Sequence, residues 1–218
     1  MRAVRQAGWA GVLCFVLILA AFLVSPLWDL PPTSAPGAEI AAYTHDHRGQ
    51  LIAAMLVYGL AMALFLFFAA GLYAWLKRRE PPPGVLSTAF GFGAVSLTTT
   101  VFAGFVAFCV LIYRVRDPAV AGTLYDLTFG LLAFSGLPTA VALGAYAGLV
   151  IPGRTLPAWT GWFAALTALA HVAIAASFAF SNGFLSLEGA AIVVIPTTLF
   201  LWVLVTGVAL VRVPVPAG

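Results

Sequence analysis

The amino-acid sequence predicts an all-α, polytopic membrane helix bundle of six transmembrane helices with both termini on the cytoplasmic side. Three observations predict it. The 218 residues are 63% hydrophobic and only 8% charged, with mean hydropathy +1.08, whereas a soluble domain carries about 25% charged residues. The apolar residues fall in six runs long enough to cross a hydrocarbon core of about 30 Å, which takes roughly 20 helical residues. The basic residues gather on alternate sides of those runs, as positive-inside sorting demands.

The spans are expected at about 8–28, 50–75, 86–113, 122–150, 159–180 and 189–211, forming one domain over residues 1–218. Each must be helical, because lipid offers no partner for a backbone amide. Arg2 and Arg5 precede the first run. That run is longer than a usual signal-peptide core and no A-x-A site follows, so it is expected to be a retained span. "DLPPTSAPGAE" (29–39) reads as a Pro-rich loop. "HDHR" (45–48) opens the second span, and "KRREPPPG" (77–84) closes it with a basic stop and a breaker. "RVRDPAVAG" (114–122) and "IPGRTLPAW" (151–159) are short turns flanking the fourth span, and "SNGFLSLEG" (181–189) is a polar connection into the sixth. Pro138 and Pro196 are expected to kink the fourth and sixth spans. Trp9, Trp28, Trp75 and Trp159 sit at span ends, where an aromatic belt belongs.

With the N-terminus inside, Arg2, Arg5, Lys77, Arg78, Arg79, Arg154 and Arg212 face the cytoplasm, and Arg48, Arg114 and Arg116 face out. Seven against three sets the orientation. The same basic residues explain a pI of about 9.1 without any nucleic-acid partner. Cys14 and Cys109 lie within apolar runs as buried free thiols, and no Cys/His spacing suits a metal.

The acids segregate. Glu80 alone is cytoplasmic, whereas Asp29, Glu39, Asp46, Asp117, Asp126 and Glu188 lie on or near the outer side. Asp126, in "GTLYDLTFGLLAFSG", stands about a turn into the fourth span. A carboxylate there is costly, so it either faces the bundle interior with a partner such as His47, Arg48 or His171, or anchors the helix at the headgroups. His171, in "TALAHVAIAAS", is either a hydrogen-bonded packing residue or a proton relay. Glu188 either begins the sixth helix, favoured there by the helix dipole, or points into the outer mouth. In "HDHR", the i, i+2 spacing of His45 and His47 is wrong for a helical metal pair. Asp46 is expected to cap the second helix while Arg48 reaches phosphates, or the cluster edges a pocket. Small residues in 91–100, 134–148 and 164–177 allow close helix approach. Thr98, Thr99, Thr100, Ser135 and Ser177 there can bond across the bundle or to their own carbonyls.

Three stretches carry a resemblance. They are "YTHDHRGQLIAAMLVYGLAMALFLFFAAGLYAWLKRREPPPG", "DPAVAGTLYDLTFGLLAFSGLPTAVALGAYAGLV" and "LPAWTGWFAALTALA". In loops and span starts over nearly the whole chain, the sequence resembles a large group of actinobacterial six-span membrane proteins. That group is similar in size and appearance to the small membrane-bound terpene cyclases of indole-sesquiterpenoid pathways. The resemblance implies a cell-membrane enzyme that protonates and cyclises a lipophilic, prenylated aromatic substrate of farnesyl-indole type, without metal or organic cofactor. Such chemistry needs a carboxyl kept protonated by an apolar cavity. Asp126 is the first choice, with Glu188 and Asp46 as rivals and His171 to assist or take the final proton. Tyr125, Phe129, Phe178 and Trp202 would line the cavity and stabilise the cation through their ring faces, with His47 and Arg48 at its mouth. The aspartate-rich motif of soluble class I terpene synthases and the DxDD motif of soluble class II enzymes are both absent. The competing expectation is a non-catalytic membrane protein, a small permease or an accessory scaffold, which the scarcity of interior charge also suits.

Overall fold

A computed structural model describes residues 2–25, 29–114, 117–153, 155–180 and 182–213. Among them are eight α-helices and no strand. They are α1 (Arg2–Val24), α2 (Gly37–Asp46), α3 (Arg48–Lys77), α4 (Val85–Arg114), α5 (Pro118–Phe134), α6 (Gly136–Gly153), α7 (Ala158–Ala175) and α8 (Ala191–Val211). Six elements are long and apolar enough to cross a membrane: α1, α3, α4, α5 with α6 as one span, α7 and α8. Trp28, Arg116 and Arg154 lie outside the described residues.

The span boundaries move from their expected places for local reasons. The fourth span starts at Pro118, not 122. Asp117 caps it, accepting from the amides of Ala119 (2.9 Å) and Val120 (3.1 Å), and proline suits the first helical position, where no N–H is needed. The fifth span stops at Ala175, and a 3₁₀ turn at Ser177–Ala179 follows it. The fourth span is broken, but at Ser135. Pro138 cannot donate to the carbonyl four residues back, and that carbonyl belongs to Phe134, the last residue of α5. Pro196 lies near the start of α8, which continues through it.

Two corrections concern the acidic end. Residues 37–39, expected in a loop, begin α2, a helix too short to cross the bilayer. Asp46 ends α2 and does not cap α3; that position falls to His47, whose side chain makes no cap bond. Trp75 also departs from expectation. It is 4% exposed, packed in the core beneath Arg79, whereas Trp9 and Trp159 do face outward at 55% each.

Lipid gives helices little hydrophobic reason to associate, so close packing must hold them. Gly8 and Gly207 bring α1 and α8 into near backbone contact, and Gly71 does the same for α3 against Ala7 of α1. Gly93 admits the α6 backbone at Pro138 and Ala142. At the centre, Trp202 meets Phe68 and Tyr146 edge to face, with ring centroids 5.8 and 4.9 Å apart. The intramembrane hydroxyls mostly satisfy themselves. Thr98, Thr100, Ser135 and Ser177 each donate to a carbonyl three or four residues back. Cys14 is buried and Cys109 partly so, both as free thiols.

Candidate functional site

Of the six acids expected on one side, Asp29, Glu39, Asp46 and Glu188 belong to α2 and the connections before it and before α8, while Asp117 caps α5 and Asp126 lies within it. Tyr125 is fully buried and donates its hydroxyl to the Pro31 carbonyl at 2.6 Å, tying the loop down onto α5. Glu188 joins the two loops. Its Oε1 accepts from the Ser34 amide (2.9 Å) and the Thr33 hydroxyl (3.3 Å), and these bonds hold its carboxyl below the usual glutamate range. It therefore neither starts α8 nor aims into a cavity. His47 stacks on Tyr43 with centroids 4.3 Å apart, its Nδ1 lying 3.0 Å from the Tyr43 carbonyl. Arg48 sits over the Tyr113 ring at 5.5 Å. His45 and Asp46 face solvent. Among the described residues, no group of three or more His, Cys, Asp or Glu comes together in a way that would hold a metal.

Asp126 takes a different direction from its neighbour. Successive helical residues diverge by about 100°, so Tyr125 points into the core with Phe129, centroids 4.8 Å apart, while Asp126 points out of it. Asp126 is exposed, and its carboxylate has no polar partner among the described residues. It stands eight residues beyond Pro118, about 12 Å along the helix at 1.5 Å per residue. There it lines a groove of about 740 Å³ formed by α4, α5, α6 and the 3₁₀ turn. Asp126, Gly130 and Phe134 follow each other at i, i+4 and i+8 along it. Phe178 closes one side, its ring 5.7 Å from that of Phe134 and 3.2 Å from where a Gly130 Cβ would lie. Ser96 and Thr100 line the other side, with Leu137 and Pro138 toward α6.

The groove thus brings together two of the expected site residues, Asp126 and Phe178. His171 lies apart from it. The ring is buried, with Nδ1 2.8 Å from the Thr167 carbonyl, and its backbone oxygen packs against Gly136. Trp202 belongs to the central core. Tyr125 and Phe129 belong to the apolar cluster beneath α2. The wall residues Phe134, Gly130 and Thr100 were not anticipated, although the i, i+4, i+8 row containing Asp126 was there to be found.

No protein-family profile matches the chain, no curated protein matches it, and no solved structure matches it. Fold and site together define a polytopic α-helical membrane protein. A groove lined by α4, α5 and α6 carries a carboxylate among mainly apolar walls.

Proposed function

We propose that this protein takes a lipophilic ligand sideways from the bilayer into the α4–α5–α6 groove, with Asp126 as its polar contact. A single observation carries the reading: one unpartnered carboxylate stands on the wall of a groove otherwise lined by Leu, Phe, Pro, Gly and two hydroxyl residues. A carboxylate among such residues within a span is costly unless something meets it. A groove of about 740 Å³ is within the range of roughly 300–1,000 Å³ that holds small organic ligands. With the N-terminus in the cytoplasm, the groove opens toward the outer leaflet of the cell membrane.

In its catalytic form the reading is protonation-initiated cyclisation of a prenylated aromatic substrate. The carboxyl O–H bond of Asp126 breaks and its proton forms a C–H bond at an alkene carbon. The chain's π-electrons close rings onto the cation, and a different proton then passes from the cation to the Asp126 carboxylate, which restores the acid and leaves an isomer of the substrate. The adjoining Phe134 and Phe178 rings supply the faces that would stabilise the cation. The non-catalytic form, a lipophile-binding scaffold, is favoured by the groove's open side and by the absence of His171, Tyr125 and Trp202 from its lining.

The test uses the full chain in the membranes of a host that makes 3-farnesyl-indole compounds. A new product of unchanged mass, lost in Asp126→Asn, supports the cyclase. No product, but photo-crosslinking of a farnesyl-indole probe to α5 that is lost in both Asp126→Asn and Gly130→Leu, supports the scaffold. Gly130→Leu is informative because its side chain would occupy the space beside Phe178. Neither product nor crosslink would defeat the whole reading.

A further inference from the structure

At the end of the bundle opposite the acidic layer, the α3–α4 connection, the last turns of α6 and Thr155 line a half-open pocket of about 260 Å³. Leu76, Leu149 and Pro152 give it apolar walls; Arg79, Glu80 and Thr155 give it polar ones. Arg79 is held in place. Its guanidinium carbon lies 3.1 Å from the centroid of the Trp75 ring, and Nη1 donates to the Trp75 carbonyl at 3.3 Å. A guanidinium has five N–H donors in a planar fork, so most of its capacity is left for a ligand. Desolvation, then the charge of Arg78, lower its pKa from the ordinary arginine value.

Glu80 shares the pocket but is not that counter-ion. Its two oxygens accept from the amides of Leu86 and Ser87, at 2.8 Å each, where α4 begins. Thr155 differs: among the described residues its Oγ1 has no hydrogen-bond partner. A stacked guanidinium and an unsatisfied hydroxyl beside an apolar wall match a tetrahedral anion attached to an acyl chain. Lys77 and Arg78 add positive charge alongside, and basic pockets between spans are suited to anionic headgroups.

We propose that this pocket binds a phosphate group, with Arg79 as the forked cation and Thr155 as the hydroxyl contact, and that the phosphate belongs to a membrane lipid whose tail lies along Leu76 and Leu149. The apolar wall is what favours a lipid over free phosphate. The proposal is independent of the groove at Asp126.

The test measures the thermal midpoint of the full chain in a phosphate-free neutral detergent, titrated with phosphatidylglycerol, diacylglycerol or inorganic phosphate. Phosphatidylglycerol is expected to raise the midpoint and diacylglycerol to leave it unchanged. Arg79→Gln should weaken the apparent lipid affinity about tenfold or more, as loss of a charge-assisted contact does. Arg79→Lys should recover part of it, and the near-isosteric Thr155→Val should weaken it severalfold even if Arg79→Gln folds poorly. An inorganic phosphate response equal to that of phosphatidylglycerol would overturn the lipid source and support a free-anion site. Equal responses to phosphatidylglycerol and diacylglycerol, or an undiminished phosphatidylglycerol response in Thr155→Val and Arg79→Gln, would overturn the proposal.

Discussion

Gly136→Ala isolates the contact that holds the groove's floor against α7. Gly136 is the first residue of α6, next to Leu137 and Pro138 on the groove wall. A Cβ added there would stand 2.2 Å from the His171 carbonyl oxygen, 2.9 Å from Ile174 Cγ2 and 3.2 Å from the His171 carbonyl carbon. Real Cβ contacts essentially never fall below 3.0 Å, so the shortfall against the oxygen is 3.0 − 2.2 = 0.8 Å. The nearest obstacle is helix backbone and cannot swing aside, so α6 and α7 must part by most of an ångström. Overpacking a close-packed interior costs about 1–3 kcal/mol, and a backbone obstacle puts this case near 3. Gly144 is the matched control on the same helix, with nothing within 4 Å of its added Cβ. Gly144→Ala should be neutral or stabilising by up to about 1 kcal/mol, from helix propensity alone. The assay is reversible unfolding of the two variants and wild type in bicelles. Unfolding free energies for the two alanines that agree within about 1 kcal/mol would refute the described α6–α7 contact.

Tyr125→Phe removes the hydroxyl that holds Pro31 and leaves a buried carbonyl unpaired, a loss of about 1–3 kcal/mol; limited proteolysis within 29–36 should accelerate by roughly tenfold or more, and an unchanged rate would sink the prediction. For Glu80, desolvation is the largest single influence and acts to raise the carboxyl pKa, but the Ser87 and Leu86 hydrogen bonds and the Lys77 charge together outweigh it and the net shift is downward. A carboxyl lowered on folding stabilises above its unfolded pKa, and that stability is lost as pH falls through the folded value. The thermal midpoint of wild type should therefore drop more steeply than that of Glu80→Gln below the ordinary glutamate range, and parallel curves from pH 7 to pH 3 would contradict it.

The six spans were legible because hydropathy is read by length alone, and a lipid-exposed helix has no other composition available to it. The start of α5 was also in the sequence, since Asp-Pro before an apolar run is a cap followed by a first-turn proline. The short α2 was missed because its outward residues make it look like loop. Its buried pair Ile40 and Thr44, spaced i, i+4 after Pro36, was the available sign. Membership of the site was harder. Tyr125 and Asp126 were expected at one cavity because they are adjacent, yet adjacency on a helix separates directions. Trp202 and His171 are polar or aromatic residues in spans, and nothing local distinguishes a ring that lines a cavity from one that fills a core. Glu188 could not be placed by pattern at all, because its partners Thr33 and Ser34 lie more than 150 residues away.

The groove follows from a mismatch of lengths. The span formed by α5 and α6 has 36 residues, about 54 Å of helix, whereas α7 has 18, about 27 Å. The two are aligned by Gly136 against His171 and Ile174, close to the last residue of α7. Beyond that level α5 is only sparsely in contact with α7, whereas α6 packs along it. Pro138 sharpens the consequence: by releasing the Phe134 carbonyl it ends α5 there, so α5 need not continue the line of α6. The uncovered side is partly filled by Phe178 from the turn after α7, and what remains open is lined by the row Asp126, Gly130 and Phe134. Lengthening α7 by two turns would cover that row. The carboxylate at this position is left uncovered because the neighbouring helix stops short, and that opening is the access the proposed lipophilic ligand would use.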